Sequence, residues 1–257
     1  MGYALRRLAM FPVILIGVSV LVFVAIRLIP GDAITALLGT EGGLLTPAQR
    51  LALEVYFGID QPWPTQYLRW VGGVVQGDLG ISAVHGRPVL EVILERFPLT
   101  LELAVLSLMI ALVIGIPAGM IAAARRESAS DLTVRIFAML GQSTPNFVLG
   151  LVLIFTLSVV FGALPTMGEF VPFGVDPMAN LGQMALPALT LGFSFAASVM
   201  RTTRASMLDV LSEDYVRTAL AKGASRRSVF LSHALPNALI PILTLTGIEF
   251  GYLLGGA

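Results

Sequence analysis

Residues 136–168 form a run of 33 positions without a single charged side chain. A bilayer core about 30 Å thick is crossed by a helix of roughly 20 apolar residues, so a run of this length fixes the solvent before it fixes the fold. Three further uncharged runs cover residues 8–26, 103–124 and 177–200, and a fifth apolar stretch, 234–257, is interrupted only by Glu249. Five membrane helices are predicted, over about 8–29, 99–124, 136–161, 180–200 and 236–257. The fold class is therefore an all-α polytopic membrane protein. Composition agrees: 56% of residues are hydrophobic and 12% charged, against about 25% charged in soluble domains.

Other classes fall away on the same counts. Sixteen basic residues balance sixteen acidic ones, which leaves no basic excess for a nucleic acid. There is no cysteine, so disulfide scaffolds, thiolate metal sites and Cys nucleophiles are excluded. The two histidines, His85 and His233, are too few to make a metal site by themselves. Arg6 and Arg7 before an apolar run also suit a signal peptide. That run is too long for one, however, and ends in Arg-Leu-Ile-Pro-Gly-Asp rather than a small-residue cleavage site. The first helix is read as retained.

Orientation follows from the basic residues. With the N-terminus cytoplasmic, the inner side holds Arg6, Arg7, Arg125, Arg126, Arg135, Arg201, Arg204, Arg217, Lys222, Arg226 and Arg227, which is 11 of the 16. Arg50, Arg69, Arg87 and Arg96 stay outside, with Arg27 near the outer end of the first helix. Arg201 and Arg204 directly follow the fourth predicted helix and are expected to anchor its end at lipid headgroups. Glu102 is expected in the opposite headgroup zone.

Two polar segments punctuate the spans. In the extracytoplasmic insertion, 30–98, Thr46-Pro47-Ala48-Gln49 is a capping box with proline at the first helical position. It predicts a helix over 47–57 that stops at Gly58. Gly77, Gly80 and Gly86 predict turns, and 88–97 a second short helix ending at Pro98. In the cytoplasmic loop, 201–235, Ser212 can cap a helix whose first turn holds Glu213 and Asp214, favourable at the positive helix end. Tyr215, Val216, Ala219 and Leu220 share one face, and Gly223 is a natural stop. Gly141, Pro145 and Gly150 in the third helix, and Gly182, Pro187 and Gly192 in the fourth, predict close packing or kinks; a mobile gate is the alternative. There is no internal repeat and no Walker-type phosphate loop.

The inner segment reads Glu213-Asp-Tyr-Val-Arg-Thr-Ala-Leu-Ala-Lys-Gly223-Ala, followed by His233-Ala-Leu-Pro236-Asn-Ala-Leu-Ile-Pro241. It resembles the cytoplasmic signature of permease subunits of binding-protein-dependent ABC importers. That signature is Glu-Ala-Ala, a glycine six residues after the Glu, and later Leu-Pro; here Arg217 and Thr218 replace its first two residues, as in the peptide/nickel branch, while Ala219, Gly223, Leu235 and Pro236 match. Pro30-Gly31-Asp32, Gly77-Asp78-Leu79-Gly80-Ile81-Ser82, Ser143-Thr144-Pro145-Asn146-Phe147 and 186–191 resemble that branch too. The long first outer segment is similar to its dipeptide or oligopeptide B-type permease. The resemblance covers the whole chain, as one transmembrane permease domain over 1–257, and implies a sixth membrane helix in a complete family member.

The resemblance also implies a translocation subunit rather than an enzyme, in a bacterial or archaeal cytoplasmic membrane. A second permease, forming a heterodimer, completes the path for a peptide or related small solute. Two cytoplasmic ATP-binding subunits bind ATP and Mg, an extracytoplasmic solute-binding protein delivers cargo, and this chain holds no cofactor itself. Glu213, Asp214, Tyr215, Arg217, Thr218, Ala219, Lys222 and Gly223 are the implied ATPase-coupling residues. The other use of such a helix is to lie solvated on anionic lipid.

Glu249 stands about 13 residues into the fifth predicted helix, so about 20 Å from its inner end at 1.5 Å per residue. Facing lipid there would cost on the order of 2–3 kcal/mol, which turns the side chain toward a subunit interface or a wet pathway. A structural hydrogen bond and a pathway-lining carboxylate both satisfy that condition. A gradient-driven secondary transporter or channel would bury several ionisable groups, and only Glu249 lies well within a span. A membrane-embedded hydrolase needs a nucleophile beside a base, and no Cys or His lies in any span.

Overall fold

The structure, a computed structural model, describes residues 2–28, 34, 45–82, 84–162 and 170–256. These residues are helical apart from turns and connections. Their one β pairing is an isolated bridge between Ile81 and Pro88. The Pro30-Gly31-Asp32 stretch lies outside the described residues. The chain divides into two compact units, Met1–Arg96 and Phe97–Ala257.

In the first unit α1, Gly2–Leu28, is the first apolar helix. Helix α2, Pro47–Phe57, starts with both reciprocal bonds of the Thr46–Gln49 capping box and ends at a left-handed Gly58, as its sequence predicts. Helix α3, Trp63–Val75, was not foreseen. It presents Tyr67 and Trp70 to Phe23 of α1, with ring centroids 5.3 and 6.5 Å apart. Arg27 lies over the Phe23 ring and donates Nε and Nη2 to Gln66 Oε1 at 2.9 and 2.6 Å. The charge at the end of α1 thus meets a neutral acceptor and an aromatic face. Gly77, Gly80 and Gly86 all have positive φ, in the predicted turns.

Helix α4, Val89–Ala124, runs unbroken through Pro98 and Pro117. This corrects the expectation of a separate short helix ending at Pro98. Proline removes one backbone hydrogen bond, and a packed membrane helix can re-satisfy the freed carbonyl locally. Helices α5, Ala129–Ser143, and α6, Asn146–Phe161, take the place of the single helix expected over 136–161. They meet at 108°. Thr144 is extended, at φ −90° and ψ 121°, because the proline ring that follows it disfavours the α region.

Helix α7, Pro177–Leu211, is the hub of the second unit. It packs against α5, α6 and α10, and the core beneath it is built of small residues: Ala111, Ala138, Ala196, Ala197 and Val199, with Met200 and Ile242. A Cβ added at Gly119 of α4 would lie 2.6 Å from the Met200 carbonyl oxygen and from Thr203 Cβ. One at Gly192 of α7 would lie 2.8 Å from Ile110 Cγ2 and 2.9 Å from the Ser107 carbonyl oxygen. Without a hydrophobic drive between helices in lipid, such backbone approach is what packing rests on. Gly141 meets Ala197 equally closely, whereas Gly182 faces open space.

After α7, the short α8, Asp214–Ala221, turns the chain back. Helix α9, Arg226–Ser228, leads through a π-helical turn, Val229–Ala234, into α10, Leu235–Gly256. The last helical run therefore begins at Arg226 rather than near 236. Pro236 offers no amide hydrogen to the carbonyl four residues back, and the wider π spacing occupies that turn. Among the described residues, four helices are long and apolar enough to cross a membrane: Leu5–Leu28, Val89–Ala124, Pro177–Leu211 and Arg226–Gly256. The bent pair supplies a fifth if it is one span.

Candidate functional site

Residues 212–225 form the link between the two long helices α7 and α10. Ser212 closes α7 instead of opening α8: its Oγ donates to the Asp209 carbonyl at 2.7 Å. The N-cap of α8 is Glu213, in extended conformation and without a side-chain capping bond. At the other end the backbone makes a Schellman closure. Gly223 N–H donates to the Leu220 carbonyl at 3.0 Å and Ala224 N–H to that of Ala219 at 3.1 Å. The closure requires a left-handed residue after the cap, and Gly223 supplies it with φ +90°.

This short helix is held by one buried anchor and one polar tether. Val216 is 2% exposed, whereas Tyr215 and Leu220 of the predicted stripe remain partly open. Asn237 Nδ2 donates to Tyr215 Oη at 3.0 Å and to the His233 carbonyl at 2.8 Å, and Tyr215 Oη lies 3.4 Å from that same carbonyl. The tether fixes α8 to the start of α10 at the π turn. Its outer face carries Glu213, Asp214, Arg217, Thr218 and Lys222, all exposed. Arg217 makes only a long 3.5 Å contact with Asp214, and Thr218 Oγ1 donates back to the Asp214 carbonyl at 2.9 Å. The eight residues singled out in sequence thus sit in one closed turn of chain. Asn237 was quoted within the motif but given no role.

A second polar contact lies beside this link. Asp131 near the start of α5 accepts Arg204 Nε at 2.6 Å and Nη2 at 2.9 Å. Its carboxylate is 1% exposed and the Arg204 side chain 22%. Glu127 N–H donates to the same carboxylate at 3.0 Å. Arg204 therefore staples the α4–α5 turn to α7. This corrects its expected role as a headgroup anchor, which assumed that the helix ended at Met200. Bidentate guanidinium–carboxylate pairing also fixes orientation, because the fork admits one geometry.

Glu249 is half-buried. It lies on the face of α10 that carries the buried Ile242 and Leu253, and Leu253 packs with Ala104 and Leu191. That face turns toward the unit's own interior. The carboxylate has no side-chain hydrogen bond among the described residues. Glu102, on α4 two residues from Ala104, also has an unpartnered buried oxygen. His85 is exposed, with Ser82 Oγ 3.4 Å from its Nδ1. Among the described residues no group of three or more His, Asp or Glu is placed to hold a metal ion.

Comparison with known proteins finds related chains throughout. The model of the binding-protein-dependent transport system inner membrane component matches residues 115–257, and that of the N-terminal part of the same membrane components matches residues 1–104. The glutathione transport system permease protein GsiC of Escherichia coli K12 is 42% identical over 259 residues, covering all of this chain and 80% of that protein. The same-named protein of Shigella dysenteriae serotype 1 is equally similar. The oligopeptide transport system permease protein AppB of Bacillus subtilis is 38% identical over 258 residues, covering all of this chain and 81% of that protein.

Proposed function

Because this chain belongs to the inner-membrane components of binding-protein-dependent transport systems, and so is a transmembrane subunit of an ABC importer, we propose that residues 213–223 are the element through which ATP hydrolysis on partner subunits moves it. The observation that carries this reading is the closed turn of α8, with Val216 buried, Tyr215 tied to Asn237, and a full charged face left open. A short helix of this kind can seat its open charged face in a groove on a partner, with Arg217 and Lys222 facing its acids.

The rest of the arrangement follows as part of the same proposal. The N-terminus and the 201–235 loop face the cytoplasm, where two ATP-binding subunits carry ATP and Mg. The 30–98 insertion faces outward, where a solute-binding protein docks. A second permease subunit completes the path. The cargo is a peptide or a peptide-like small solute, a class that the names of GsiC and AppB support. Glu249, which stays partly open at the edge of the inward face of α10, is proposed to reach that path and to meet a cationic group of the cargo.

The test uses the whole complex in proteoliposomes. Uptake of glutathione or a short peptide should require ATP on the face carrying Ser225 and a solute-binding protein on the face carrying Ser82. Uptake driven by an ion gradient without ATP would overturn the reading. Within that assay Glu249→Gln should lower uptake of cationic cargo while assembly and ATP hydrolysis persist. A silent Gln together with a disruptive Glu249→Leu would assign the carboxylate to a structural hydrogen bond instead.

A further inference from the structure

A groove of about 790 Å³ opens between the end of α4, the end of α7, α8 and the α9–π turn. Pro117, Ile121, Val216, Leu220 and Phe230 are among its walls, and nearly all of the lining is apolar. The exceptions are Arg226 and Arg227. Both side chains are exposed, and among the described residues neither guanidinium has an acidic partner. Arg226 is also the first residue of the helical run Arg226–Gly256, which is long and apolar enough to contain a membrane span, so the two cations stand at the end from which that run leads into the membrane.

We propose that this groove holds an anionic phospholipid, with an acyl chain along the apolar walls and the phosphate against Arg226 and Arg227. The complement of an apolar cleft ending in two unpaired guanidiniums is an amphipathic anion. Arginine presents donors in a fork that suits phosphate oxygens, and basic residues beside a span are drawn to anionic headgroups. A polar peptide from a partner would strand its backbone groups against these walls. An apolar partner helix would fill the cleft but leave both cations unmet. Since Val216 and Leu220 belong to α8, the lipid would form part of the bed on which that helix rests. The site stands independently of any transport role.

The complex, reconstituted in phosphatidylcholine vesicles doped with phosphatidylglycerol bearing a photoactivatable acyl chain, is illuminated, digested and mapped by mass spectrometry. Label is expected on 117–124 and 226–231. The Arg226→Gln/Arg227→Gln variant should lose it several-fold, and Arg226→Lys/Arg227→Lys should retain most of it. Label on α1 and copurification of partner subunits serve as controls for folding. The proposal fails if a phosphatidylcholine probe labels these peptides equally, or if the Gln variant keeps its label. It also fails if a photo-crosslinker placed at Leu231 captures a neighbouring subunit in place of lipid.

Discussion

Gly223 holds the left-handed turn that closes α8, and its missing side chain has open space around it. Any substitution there is therefore a backbone effect, without a clash. A left-handed non-glycine residue costs roughly 1–2 kcal/mol, least for Asn. Gly223→Val should cut substrate-stimulated ATP hydrolysis and uptake while leaving insertion and assembly intact, and Gly223→Asn should fall between the two. Unchanged uptake in the Val variant would remove the turn from the coupling argument. The Asp131–Arg204 pair makes a second, asymmetric prediction. Arg204→Met strands a carboxylate that is 1% exposed, a loss of about 3–5 kcal/mol. Asp131→Asn leaves a partly solvated guanidinium and should cost about 1–3 kcal/mol. Thermal denaturation of the solubilised complex should order them accordingly, and the reverse order would refute the pairing as described. Gly223 was legible because its neighbours in sequence define the turn. The Asp131–Arg204 pair was not, because the two residues lie 73 positions apart and nothing local at Arg204 distinguishes a buried fork from a headgroup anchor.

Elements were legible where the signal was short-ranged. The capping box of α2 lies within four residues of sequence and folds as read. The ends of the long helices were misjudged because charge was used to mark them. Arg201 and Arg204 sit inside α7, and Glu91, Glu95 and Arg96 sit inside α4. Amphipathic continuation beyond the lipid core carries charge without ending a helix. The break between α5 and α6 was hidden for the opposite reason: Pro145 looks like Pro98, Pro117, Pro187 and Pro241, which helices absorb. What separates it is the extended conformation of Thr144. Helix packing gives the prediction at this scale. Gly119→Ala must push its new Cβ against the Met200 carbonyl and Thr203, and overpacking of this kind costs about 1–3 kcal/mol. Gly182→Ala meets open space and should be neutral, or more stable by up to about 1 kcal/mol through helix propensity. Equal melting temperatures for the two variants would contradict the packing.

For the molecule as a whole, the absence of native cysteine makes orientation directly measurable. A cysteine replacing Ser82 should react in intact cells with a membrane-impermeant thiol reagent, and one replacing Ser225 should react only after the membrane is opened. The opposite pattern would invert the arrangement drawn from the basic residues. The family was legible from the 213–241 motif because that segment must keep one geometry: the turn at Gly223, the tyrosine–asparagine tether and the proline beside the π turn are each a local physical requirement. The core of small residues around α7 left no comparable trace, since alanine and glycine serve many purposes in a membrane helix.

That central helix can also be considered as a lever. Its tight contacts with α4 run from Gly192 to Thr203, leaving unequal arms. Eight residues remain toward Leu211 and fifteen toward Pro177, or about 12 Å and 22 Å at 1.5 Å per residue. A stroke delivered at the short arm would reach the far end geared up by nearly twofold. Pro187 lies in the long arm, where bending would be felt as lost travel. Spin-label pairs at the two ends would read the gear ratio directly, and equal displacements would mean that the contacts slide instead of acting as a fulcrum.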